Sequence, residues 1–119
     1  MELLHTCYRV TNPERSIAFY EALGLEKGRE LPIRDEAINY FRGVPGRPQP
    51  ELELTDNFGV DSYELGTGYG HVAPTVDDLD ATLEQLAGQG SSRSGRRTRC
   101  GKAARAFASF AIRMVSFER

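Results

Sequence analysis

Residues 3–23 read LLHTCYRVTNPERSIAFYEAL, and residues 69–86 read YGHVAPTVDDLDATLEQL. Sliding the first stretch onto the second by 66 positions superimposes His5 on His71, Val10 on Val76, Ile17 on Leu83 and Tyr20 on Leu86. Each copy opens with an alternating segment headed by a histidine, passes a polar turn and enters an amphipathic helix. The chain holds only these two histidines. A duplication that repeats them is a way to bring two imidazoles together, and imidazole is a common ligand for Zn, Ni and Fe. A lone histidine is more often a core or surface residue; the repeat argues against that default here.

Around the two copies the remaining elements can be placed. Residues 3–10 alternate as a strand. Thr11, Asn12 and Pro13 form a helix start, with a capping side chain followed by proline in the first turn. Ile17, Tyr20 and Leu23 give the apolar face, and Gly24 is the stop. Between Leu25 and Gly43 the signal weakens, with a strand at Ala37–Phe41. Val44 to Pro48 is a turn-rich connection. Glu51 to Thr55 alternates cleanly, so Glu51, Glu53 and Thr55 share one face while Leu52 and Leu54 share the other. A strand near 70–76 and a helix over 78–88, with Leu79, Leu83 and Leu86 on one stripe, complete the second copy. Strands should follow, but the text offers no good ones. The class is α+β, with one module over 1–60, a linker over 61–69 and a second over 70–119.

The chain has 119 residues, 39% of them apolar, which suits one domain with a modest core. Two cysteines, Cys7 and Cys100, make no disulfide framework, so a reducing cytoplasm is the expected setting. No stretch has the apolar length of a membrane span, and the N-terminus does not read as a signal peptide. The net charge of −2 hides a break. Up to Gln89 there are 16 acidic and 7 basic residues, a balance of −9; from Gly90 there is 1 acidic residue against 8 basic, a balance of +7. A basic, Ser/Arg/Gly-rich tail can bind nucleic acid or remain a solvated end. A third explanation, given below, fits better, and no nucleic-acid or membrane partner is expected.

Glu53 is the third residue of interest. A carboxylate on an otherwise apolar strand usually faces solvent, but in a curled sheet the polar face can line a cavity. Two histidines and a carboxylate from separate strands then make a divalent metal site with room for water or substrate. The glycines of Gly66–Gly70 do not join a strand to a helix as a phosphate loop must, and read as a flexible link. Asp77, Asp78 and Asp80 read as capping and macrodipole residues of the second helix.

The string LELTDNFGVDSYELGTGYGHVA, with LLHT at the N-terminus and RSIAFYEALGL after it, resembles the glyoxalase I (lactoylglutathione lyase) family of the vicinal-oxygen-chelate superfamily. The resemblance covers about three-quarters of the chain. It implies paired βαβββ modules, metal ligands at His5, Glu53 and His71, and glutathione contacts at Arg9 and Asn57. The short connection before Glu51 is similar to the compact bacterial form, for which the resemblance implies nickel, with cobalt and zinc as alternatives. Asp56 is a small departure, since the family usually has an aromatic residue there.

A larger departure lies at the end. The family's fourth ligand and main base is a glutamate within a DPDGY-x-x-E motif, and this chain has no such motif. Glu118 falls within one residue of the expected place, but its neighbours do not reproduce the pattern. A one-nucleotide slip near Gly90 accounts for both the loss and the charge reversal. In the shifted frame, with synonymous codons chosen freely, Gly90 to Val115 can spell VEPERPPYTVREGGSRLCFVRDPDG. The last glycine is forced, because Met114 followed by Val115 contains GGT in that frame. The second module is therefore read as incomplete, with residues 91–119 expected to form little regular sheet.

The substrate the resemblance implies is the hemithioacetal of methylglyoxal and glutathione, isomerised to S-lactoylglutathione in methylglyoxal detoxification. The metal would stabilise charge on two vicinal oxygens, and Glu53 would combine ligation with acid–base work. Arg9 would pair with a glutathione carboxylate. The family's site between two subunits implies a homodimer. Two other functions stay open: a superfamily enzyme such as a ring-cleaving Fe(II) dioxygenase, and an inactive frameshifted product or basic-tailed binding module. Arg9, Asn57 and the Tyr69–Gly70–His71 context argue against the dioxygenase.

Overall fold

The computed structural model describes residues 1, 4–48, 52–64, 66–69, 72 and 75–88, and the backbone of 95–98 and 107–110. The chain divides into two compact units, one built on Met1–Glu64 and the other on Leu65–Arg113.

The first unit runs β1 (Thr6–Val10), α1 (Pro13–Ala22), β2 (Glu26–Ile33), β3 (Ala37–Gly43) and β4 (Leu52–Asn57). This is the expected βαβββ order. The four strands form one sheet in the order β1-β4-β3-β2, with β1 parallel to β4 and the other pairs antiparallel. A parallel pair needs a crossover connection. Here α1, β2 and β3 intervene between β1 and β4 in the chain, so the first and last strands of the module end up adjacent.

Local chemistry explains α1. Asn12 is its N-cap, accepting a 2.9 Å hydrogen bond from the Arg15 backbone N–H, and Pro13 occupies the first turn, where its missing N–H costs nothing. Beyond the helix, Gly24 takes φ +94°, the left-handed backbone that a side chain resists, and reverses the chain toward β2. Tyr20 is the buried residue of the helix. Arg42 of β3 is 2% exposed, and its Nε lies 3.3 Å from Glu21 Oε1 of α1. Its Nη1 also donates to the Phe41 carbonyl at 2.9 Å. The ion pair puts α1 on the sheet face that carries Arg42 and, by register, Leu52 and Leu54. Val10 and Leu54 are the most deeply buried large side chains.

The opposite face is set by the same alternation. Cys7 pairs with Glu53 and Arg9 with Thr55, while Phe41 pairs with Glu53, Asn39 with Thr55 and Ala37 with Asn57. Directly opposed residues project to one side, so these eight positions share a face.

β2 corrects the sequence reading, which found no strand between Leu25 and Ala37. All eight of its residues are exposed, so it has no apolar alternation to reveal it. It is an edge strand, carries Pro32, and shifts register between Lys27 and Glu30, all features that edges tolerate. Gly28 sits at that irregularity, where an added Cβ would lie 3.0 Å from the Phe41 carbonyl oxygen.

In the second unit, α2 spans Leu79–Gly88, with Leu86 buried. Asp78 caps it, its Oδ1 accepting from the Ala81 backbone N–H at 3.0 Å, in line with the capping role read for the aspartates. Val72 and Thr75 form isolated bridges, while the remainder of the strand expected at 70–76 includes positions outside the described residues. Two short strands, β5 (Gly95–Thr98) and β6 (Phe107–Phe110), pair antiparallel. They correct the reading that the tail offers no strand. Among the described residues they pair over four positions each, against the four-stranded sheet of the first unit.

Candidate metal centre

His5 and Glu53 come together although 48 residues separate them in sequence. The parallel pairing of β1 with β4 sets Cys7 opposite Glu53, which brings the histidine one alternation earlier to the same edge of the face. His5 Nε2 lies 2.9 Å from Glu53 Oε2. Glu53 is 8% exposed, whereas the His5 side chain keeps 40% of its surface open. A carboxylate this buried needs partners. It has the imidazole on one oxygen and the Thr55 hydroxyl, at 3.4 Å, on the other.

The imidazole is supported by a ring. Phe41, opposite Glu53 on β3, meets His5 edge-on, with centroids 5.8 Å apart and an interplanar angle of 87°. The Arg29 guanidinium lies 4.4 Å above the Phe41 ring centroid. Burial of Phe41, at 3% exposure, therefore braces His5 from the side.

A polar line crosses three strands beside the pair. Cys7 Sγ lies 3.3 Å from Thr55 Oγ1, and Thr55 Oγ1 donates to Asn39 Oδ1 at 3.0 Å. Arg9 shares this face and is exposed, with no ion pair to any described residue. Asn57 donates from Nδ2 to the Tyr63 hydroxyl at 2.9 Å. Arg9 and Asn57 thus lie on the face that carries His5 and Glu53. His71 and Glu118 lie outside the described residues.

The donor set can be tested for fit to a divalent ion. Two cis donors about 2.1 Å from a six-coordinate ion stand about 3.0 Å apart, close to the His5–Glu53 separation. An imidazole nitrogen and a carboxylate oxygen suit the borderline metals. Among the described residues, no three His, Cys, Asp or Glu side chains gather closely enough to hold an ion. His5 and Glu53 are thus two donors at the spacing of neighbouring ligands, with no third among the described residues.

Sequence reasoning missed Asn39, Phe41, Arg29 and Tyr63 as neighbours of the site. The antiparallel register of β3 on β4 would have nominated Asn39 and Phe41, since they stand opposite Thr55 and Glu53. Nothing in the text of β2 points to Arg29.

Known proteins resemble this chain in sequence and in fold. The family model described as the Glyoxalase/Bleomycin resistance protein/Dioxygenase superfamily matches residues 2–113, beyond the charge break at Gly90. The lactoylglutathione lyase of Haemophilus influenzae is 42% identical over 95 residues, which is 77% of this chain and 70% of that protein. That of Escherichia coli O157:H7 is 40% identical with the same coverage. Among solved structures, the trypanothione-dependent glyoxalase I of Leishmania major superposes with a TM-score of 0.68 at 31% identity, over 86% of this chain and 73% of that one. A glyoxalase I variant from Zea mays gives 0.63 at 32% identity, over 90% of this chain and 40% of that one. With a βαβββ module that sets a histidine against a buried glutamate, and relatives at about 40% identity over most of its length, the chain belongs to the glyoxalase I branch of the vicinal-oxygen-chelate superfamily.

Proposed function

We propose that this chain is a lactoylglutathione lyase, converting the methylglyoxal–glutathione hemithioacetal to S-lactoylglutathione in methylglyoxal detoxification. The observation that carries the reading is the contact of His5 with the buried Glu53 on the face that also bears Arg9 and Asn57. His5 and Glu53, with His71, would hold a divalent metal, nickel in our reading. When bound, the metal supplies Lewis-acid stabilisation of the charge that develops on the two vicinal oxygens of the substrate.

The chain's own groups have distinct tasks. His5 would ligate through Nε2, the nitrogen that faces Glu53. Glu53 would ligate through Oε2 and serve as an acid–base group on one face of the substrate, where a proton passes between C1 and C2. The exposed Arg9 guanidinium, free of a carboxylate among the described residues, suits a glutathione carboxylate. Asn57, oriented by Tyr63, would add an amide contact to the tripeptide. The working unit in this reading is a cytoplasmic homodimer. Among the described residues no helix is long and apolar enough to cross a membrane.

The second base is the weak point of this chain. The charge reversal at Gly90 and the missing motif favour a one-nucleotide slip, so that the polypeptide as written turns over poorly. Thiol dependence tests the activity directly. With nickel and methylglyoxal, the frame-restored chain should form thioester with glutathione and far less with a thiol that lacks its carboxylates. Equal turnover with both thiols would remove Arg9 and Asn57 from the account and reopen the other superfamily chemistries.

A further inference from the structure

We infer that Thr55 is a positioning residue, its hydroxyl setting the orientation of the Glu53 carboxylate; the inference rests on the metal reading above. Glu53 has two oxygens. Oε2 faces His5 Nε2 at 2.9 Å and is the one placed for a shared ion. Oε1 is left to the Thr55 hydroxyl at 3.4 Å, two residues along the same face of β4. A carboxylate that ligates through one oxygen rotates unless the other is held, and a donor to the free oxygen fixes which lone pair meets the ion.

The hydroxyl has one proton and two acceptors within reach. Thr55 Oγ1 lies 3.0 Å from Asn39 Oδ1 and 3.4 Å from Glu53 Oε1, while the Cys7 thiol at 3.3 Å can donate to it. The shorter contact is to Asn39 and the longer to Glu53, so the one proton has either oxygen within reach. Asn39 is the competing acceptor, and Thr55 is the group that must keep its hydroxyl. Register supports this: Arg9, Thr55 and Asn39 lie on one line across β1, β4 and β3, so the threonine is fixed from both sides by main-chain pairing.

The test is nickel binding to the full chain by calorimetry, with no turnover involved. Thr55→Val keeps the shape and strand preference but removes the hydroxyl, and should weaken binding by about 10–100-fold, the usual effect of losing such a supporting partner. Thr55→Ser should bind within about threefold of the unsubstituted chain, and Asn39→Ala should bind no more weakly, since the proton is then free for Glu53. Thr55→Ala carries the same expectation as Thr55→Val should the latter fail to fold. Binding that His5→Ala abolishes but both hydroxyl-free variants leave intact would overturn the role of Thr55 alone. Equal losses in Asn39→Ala and Thr55→Val would overturn it in favour of a purely structural role. No binding by the unsubstituted chain would overturn the metal reading itself, and the Thr55 assignment with it.

Discussion

The two halves of the duplication begin alike and end differently. In the first, β1, which His5 immediately precedes, runs in a five-residue register with β4, and β4 is paired on both sides. In the second, α2 keeps its cap and its buried Leu86, but the strands described after it pair over only four residues each. The helices resemble one another because a capped amphipathic helix needs only local sequence. A sheet needs register across distant segments, and register depends on alternation that the text after Gly90 no longer carries. The lesson is that local chemistry is enough to write a helix, whereas a sheet must be written in register across distant segments.

Substitutions can sharpen that contrast. The largest effect should come from the site: Glu53→Gln in the frame-restored chain should lower kcat by about 10²–10⁴, followed as thioester formation. Asp78→Asn, at the cap of α2, should leave kcat unchanged. A loss in the second and not the first would reverse the division of labour drawn here. Next comes the core. Leu54 is fully buried in the best-paired strand, so Leu54→Ala should cost about 2–5 kcal/mol in urea unfolding. Hydrogen exchange should show the same asymmetry: β4 amides slowest and those of β5 and β6 fast, since a two-stranded ribbon is marginal alone. Equal protection in both sheets would break the comparison. The smallest effect belongs to the caps, where the halves agree. Asn12→Ala and Asp78→Ala should each cost about 0.5–2 kcal/mol, read from thermal unfolding.

Much of this was legible in the sequence. Asn12 followed by Pro13 marks a helix start by its own chemistry, and the alternation of Leu52, Glu53 and Leu54 fixes which side of β4 is polar. The resemblance then nominated His5, Glu53, Arg9 and Asn57, and the described four occupy one sheet face or its edge. β2 was invisible because an exposed edge strand buries nothing and so writes no pattern. Thr55 was assigned to the right face, but its partners were not, since Asn39 and Cys7 meet it only through pairings between strands. The strands after Gly90 were missed because RRT and FAS carry no turn signals or alternation that would set them apart from a basic tail.

We propose that His5 and Glu53 belong to a site whose second base was lost with the reading frame. The most direct measurement compares two chains side by side with nickel, methylglyoxal and glutathione: the polypeptide as written, and the one with its frame restored after Gly90. The account predicts that the chain as written is slower by at least about 10²–10⁴, the usual cost of a missing positioned base, with thioester formation recovered in the restored chain. Equal and robust turnover by both would contradict it, showing that the tail already supplies a working base, with Glu118 the first residue to replace.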